Sequence, residues 1–282
     1  MNPAHSVRCP ILFLFLALGV AAHAQGYHFS PIFAPGSSST NTAGMNSAGD
    51  VVGNYDPSDG GVSHGYLYHQ GAFSDIYFAG SHFTSPEGIN TSGTIAGFYQ
   101  LAGIYHGFFY SQGAYTSFDY PGASNTQLVN INNHGDVIGG SDAPNAGPFL
   151  YSNGTFTLIN YPGAQTTEVL GLNDAQQIVG SYGGIGQGTH GFLKSGDTYT
   201  TIDFPGPARG TVLAAINNHG EILGYYIDAA FLNHAFLYHN GVFRLLPFPN
   251  LTSAYFTGFN DADQFVGWTI RRNEAGFLAT PN

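Results

Sequence analysis

Apolar positions in this chain come in short runs separated by turn residues, without helical periodicity. TEVLGLN (167–173) is one run and QIVGSY (177–182) is the next. HGFLK (190–194) and YTTIDFPG (199–206) complete a set of four. Each is rich in β-branched or aromatic residues, which predicts a short strand. Asn and Gly separate the first two runs, as in Asn132-Asn133-His134-Gly135, and predict a tight turn. Pro-Gly closes the fourth run and predicts its end. The third run has relatives at 64–68 (HGYLY), 106–110 (HGFFY), 234–238 (HAFLY) and 275–279 (AGFLA). The fourth has relatives at 115–122 (YTSFDYPG) and 156–163 (FTLINYPG).

These relatives belong to six copies of one unit. Asn46, Asn90, Asn132, Asn173, Asn217 and Asn260 anchor them, at spacings of 44, 42, 41, 44 and 43 residues. Seven residues after each anchor stands a glycine: Gly53, Gly97, Gly139, Gly180, Gly224 and Gly267. Six residues before it stands Thr40, Thr84, Thr126, Thr167 or Thr211, with Ala254 in the sixth copy. Four strands in about 43 residues, repeated, is the pattern of β-propeller blades. The sixth copy stops after its third strand. Its missing fourth strand matches FSPIFAPG (29–36) near the other end of the chain. The expectation is therefore an all-β, six-bladed propeller with four-stranded blades. The N-terminal strand completes the last blade and leaves no open sheet edge between the ends.

An apolar run at 11–20 (ILFLFLALGV) follows Arg8 and precedes Ala22-His23-Ala24. That layout predicts a signal peptide over 1–24, cleaved after Ala24, with a single domain over 25–282. Ten apolar residues are too few to span a bilayer. The protein is expected to be secreted or periplasmic, with no membrane span. Cys9 is the only cysteine, so the exported chain would fold without disulfides. About 260 residues suffice to bury roughly 70–75% of the unfolded surface. Charged residues make up only 8% of the chain, and the net charge is −11. That disfavours nucleic acid and anionic membranes as partners. A monomer is expected.

The third-strand motif HAFLY (234–238), following INNHGEILGYY (216–226), resembles the bacterial extracellular HAF repeats. The resemblance runs through all six copies. It implies export and a propeller-like fold, and it carries over no catalytic residue.

Several residues could carry chemistry. His64, His106, His190 and His234 open the third strand in four copies. They are candidate ligand-binding residues. The plainer reading gives each one a hydrogen bond within its own unit, like the structural histidine of WD-repeat propellers. Equivalent positions are spread by rotation about the ring axis, too far apart to share a metal whose ligands lie at ~2 Å. No metal or cofactor is expected. NDADQ (260–264) lacks the spacing of a calcium loop. Tyr99, Tyr182 and Tyr226 end second strands and could stack on sugar faces. Glu87 and Glu168 lie on first strands, at offsets of −3 and −5 from the anchors, and are the carboxylates an enzyme would use. Nucleophile-elbow, P-loop and zinc-protease motifs are absent. Two functional classes follow. One is a non-catalytic scaffold binding glycan or protein at the rim. The other is a secreted hydrolase or lyase with a carboxylate site in the central channel. Departures from the repeat, such as Gly147, Gln176, Asp263 and Ala275, mark places where function would show.

Overall fold

The structure, a computed structural model, describes residues 26–184, 188–246, 254–269 and 275–282. The leader read at 1–24 lies outside the described residues. Among the described residues there are 24 strands and no helix, so none is long and apolar enough to cross a membrane.

Near the N-terminus, β1 (Tyr27–Ile32) is followed by the first full unit: β2 (Ser37–Met45), β3 (Val51–Pro57), β4 (His64–His69) and β5 (Ala72–Ile76). The second unit is β6 (Phe83–Ile89), β7 (Ile95–Leu101), β8 (Ile104–Ser111) and β9 (Ala114–Phe118). The third is β10 (Thr126–Ile131), β11 (Val137–Ser141), β12 (Pro148–Ser152) and β13 (Thr155–Leu158). The fourth is β14 (Thr166–Leu172), β15 (Ile178–Gly184), β16 (Gly188–Ser195) and β17 (Thr198–Thr201). The fifth is β18 (Gly210–Ile216), β19 (Ile222–Ile227), β20 (Asn233–His239) and β21 (Val242–Leu245). The last unit has β22 (Ala254–Phe259), β23 (Phe265–Thr269) and β24 (Ala275–Pro281).

All pairings within a unit are antiparallel, and the fold is all-β and propeller-like. The expectation of six separate sheets needs a correction. Hydrogen bonding delimits four four-stranded sheets and one eight-stranded sheet. A single parallel bridge, Thr189↔Gly210, joins the fourth and fifth units into the latter. A comparable bridge between the first two units, Ser63↔Phe83, stays isolated. β1 pairs with β24 over Tyr27↔Pro281 to Ile32↔Gly276, and this sheet runs β1-β24-β23-β22.

The core lies between neighbouring sheets. Val52 and Ile76 pack on Ile89, Ile95 and Phe108 of the next unit. Ile138, Leu150 and Ile159 pack on Val169, Ile178 and Phe192. Ile32 and Val266 pack on Met45, Val51 and Tyr66, joining the last unit to the first. Tyr66, Phe108, Phe149, Phe192 and Phe236, all at one repeat position, are almost wholly buried, each contributing about 1.5–3 kcal/mol.

The repeated polar residues hold the turns and the junctions. Each anchor asparagine is 3–5% exposed. Asn132 Oδ1 accepts the backbone N–H groups of His134 and Asp136, which shapes the turn. Its Nδ2 donates to the carbonyl of Asn173 in the next unit. The same link runs from Asn46 to Asn90, Asn90 to Asn132, Asn173 to Asn217, Asn217 to Asn260, and Asn260 back to Asn46. The repeated threonine receives the incoming chain. Thr84, Thr126 and Thr167 accept the N–H groups of Phe78, Tyr120 and Tyr161 through Oγ1. The repeated glycine is required by a close approach within each sheet. At Gly180, for example, a Cβ would collide with the carbonyl of Glu168 on the paired strand.

Candidate functional site at the wide end of the channel

The first strands β2, β6, β10, β14, β18 and β22 each lie beside the next, and β22 lies beside β2. Each carries a register shift that leaves one residue unpaired, three before its anchor. Such a bulge re-aims a side chain. The six residues are Ala43, Glu87, Val129, Leu170, Ala214 and Thr257, and all six line one cavity of about 270 Å³. Glu168, Val212 and Tyr255, five before their anchors, extend its wall. Tyr225 and Trp268, from second strands, complete the mouth.

One wall is aromatic. Tyr255 and Trp268 are cross-strand partners whose rings stack at 4.6 Å and 22°. Tyr225 meets Tyr255 edge-on at 6.5 Å and 87°. The other character is acidic. Ser85 Oγ donates to Glu87 Oε1 at 2.6 Å. Burial among apolar wall residues pushes the Glu87 carboxyl up to about 7, against the opposing pull of that hydrogen bond. Ser181 Oγ donates to Glu168 Oε2 at 3.2 Å. Burial, with Tyr255 and Glu168 nearby, raises the Tyr225 hydroxyl to about 12. Among the described residues, neither Lys, Arg nor His lines the cavity.

The opposite end of the channel is narrow and polar. Its cavity measures about 60 Å³, room for a few waters, and the six anchor asparagines line it. Below them a second set of contacts ties neighbours together. Asn133 donates from its backbone and side chain to Asp174, and Asn218 does the same to Asp261.

The histidines stay in their own sheets. His64, His106 and His190 face Asp75, Asp119 and Asp203 through Nδ1 at 2.9, 3.0 and 2.7 Å. His234 reaches Asp228 through Nε2 at 2.8 Å. Tyr99, Tyr182 and Tyr226 stack over His106, His190 and His234. Their other faces are covered by Phe78, Tyr161 and Phe204 of the preceding unit, at 3.7, 3.5 and 4.0 Å. The structure thus makes His106, His190 and His234, with Tyr99, Tyr182 and Tyr226, part of stacks at junctions between units, while His64 stacks on Tyr77 of its own unit; none of the seven lines the cavity. Among the described residues no three His, Cys, Asp or Glu side chains converge as metal ligands. None of Gly147, Gln176, Asp263 or Ala275 lines the cavity either. Gln176 instead reaches Asp136 and Ser152 of the preceding unit.

Glu87 and Glu168, separated in sequence and in offset, do come to one cavity. The aromatic wall of Tyr225, Tyr255 and Trp268 escapes a reading that follows repeated positions, because Tyr255 is the one aromatic in its column and the column of Tyr225 and Trp268 also holds Asn54, Gly140 and Ser181. The available signal was in the bulge column, where one Glu stands among Ala, Val, Leu, Ala and Thr.

No protein-family model and no curated protein matches the chain. Solved structures do. Virginiamycin B lyase from Staphylococcus aureus superposes at a TM-score of 0.52 with 11% identity, covering 91% of this chain and all of that one. A gluconolactonase from Xanthomonas campestris gives 0.51 and 10%, covering 86% and 87%. SapL1 lectin in complex with alpha methyl fucoside gives 0.56 and 11%, covering 83% and 88%. At these identities the likeness concerns the fold. Lectins and enzymes both stand among these neighbours, so it does not select an activity.

Proposed function

We propose that the protein is an exported, non-catalytic binding scaffold of the HAF-repeat kind that holds a glycan at the wide end of its channel. In this reading the six four-stranded units form one ring, closed where β1 completes the last unit. The pairing of β1 with β24 and the link from Asn260 to Asn46 support that closure. The leader at 1–24 supports export. The observation that carries the binding function is the Tyr255–Trp268 stack beside two carboxyl groups in one concave site. Aromatic faces pack on the apolar faces of sugar rings, while carboxyls accept hydrogen bonds from hydroxyls.

Trp268 is the only tryptophan in the chain, so its emission reports the site directly. Titration with oligosaccharides should shift or quench it saturably, and Trp268→Ala should abolish binding without unfolding the protein. Emission that stays constant across neutral, acetylated and amine-bearing oligosaccharides would remove the glycan reading.

A second reading rests on Glu87. A carboxyl that keeps its proton near neutral pH, in the same cavity as a second carboxyl, is suited to general acid work in a hydrolase or lyase. Its test is the release of new chain ends from a bound oligosaccharide. Release lost in Glu87→Gln while binding persists would favour the enzyme; binding with no release in the unaltered protein favours the scaffold.

A further inference from the structure

We propose that the channel mouth selects an amine-bearing sugar, a glucosamine-type residue carrying a free ammonium group, over neutral and acidic glycans. This rests on the glycan reading above and narrows it. Glu87 is the only charged residue in the ring of six bulge positions, and four of its five counterparts are aliphatic: Ala43, Val129, Leu170 and Ala214. Its one hydrogen bond comes from a neutral hydroxyl, that of Ser85. Glu168 is likewise met by a neutral hydroxyl, that of Ser181. Among the described residues, the cavity presents two carboxyl groups with no basic side chain in its lining.

A desolvated carboxylate without a cation is costly, and a ligand that supplies the cation recovers that cost on binding. A neutral sugar does not. A uronic acid or a phosphorylated sugar would bring a negative group against two carboxyl groups and oppose the ionisation of buried Glu87. The aromatic wall points the same way, because Tyr225, Tyr255 and Trp268 offer faces for a sugar ring and for an adjacent ammonium. The chain's net charge of −11 adds a field that draws cations in and keeps anions out. The aromatic stack is what distinguishes a sugar from a free polyamine: a polyamine has no ring to lay against Trp268.

The test uses the leaderless chain and the emission of Trp268, confirmed by calorimetry. Three oligomers of equal length serve as probes: glucosamine oligomers, their N-acetylated forms, and neutral β-glucan oligomers. Spermidine is the ring-free amine. The glucosamine oligomer should bind at least ten-fold more tightly than the other three. Glu168→Gln, which preserves size and the Ser181 contact, should remove most of that margin, and Glu87→Gln should remove the rest. Thr257→Lys, which places an internal cation in the bulge ring, should abolish preference for the amine, with circular dichroism checking that the variant, which loses the Thr257–Thr42 hydrogen bond, is folded. Equal binding of acetylated and free-amine oligomers, or a preference that survives both Gln variants, overturns the amine assignment and leaves the scaffold standing. Spermidine binding as tightly as the oligomer overturns the sugar half of it. No Trp268 response to any oligomer brings down the glycan reading, and this inference with it.

Discussion

Glu87 occupies a column that the other units fill with Ala, Val, Leu, Ala and Thr, and it bears a cost they do not. Its carboxyl is raised from the ordinary 4.5 to about 7 in the folded protein. The folded state therefore binds more protons than the unfolded chain between those values. Stability must fall as pH rises through that window and level off above it. The loss amounts to at most about 3.5 kcal/mol, since one pKa unit is worth about 1.4 kcal/mol. Glu87→Gln should consequently raise the melting temperature at pH 8 by several degrees and change it little at pH 4.5; an unchanged melt at both would show that the carboxyl is solvated. Much at this scale was legible in the sequence. An asparagine, a threonine and a glycine at constant offsets are each explained by one hydrogen bond pattern or one close approach. The cavity residues were less legible because they do not repeat. Tyr255 is the one aromatic in its column and Trp268 stands in a column of mixed residues, and only strand pairing brings them face to face.

The bulged first strand is the element on which the site depends. Val169 and Leu172 are three residues apart and would face opposite sides of an unbroken strand, yet both belong to one core cluster. Leu128 and Ile131 repeat the arrangement. The extra residue changes the alternation, so residues four and one before the anchor both bury while the one between them at −3 opens on the channel. Hydrophobic alternation read straight through the strand misplaces one end of it, which is why the strands were evident in the sequence and their channel faces were not. The junction between the fourth and fifth units was illegible for another reason. A single parallel bridge depends on how close two loops come, not on residue type. The turn that follows each first strand is more predictable. Asn132→Ala leaves two N–H groups and the Asn173 carbonyl without their partner. It should cost about 2–4 kcal/mol in chemical denaturation. A change under about 0.5 kcal/mol would mean that water replaces the amide.

Across the whole molecule, neighbouring units join through the same asparagine link, and β1 pairs with β24. Tyr27 and Phe29 pack on Phe265 and Phe277 across that sheet. Removing residues 25–36 strips these aromatic contacts and the buried Ile32. Each such side chain is worth about 1.5–3 kcal/mol. At about 2–4 °C per kcal/mol, the melt should fall by roughly 10 °C or more. A truncated chain that melts normally would mean that β1 contributes nothing. The repeated all-β unit was visible in the sequence because its turn and link hydrogen bonds recur, whereas the grouping of units into sheets was not. The cavity lining was not, because the residues that give it its character break the repeat. The two ends of the channel differ in one further respect that bears on use. The asparagine end leaves room for a few waters only, so a polysaccharide has no way to thread through. A chain that inserts into the channel does so tip-first, by the wide face. For a glycan ligand, the number of free chain ends, rather than the mass of polymer, would then set how many copies of the protein it retains.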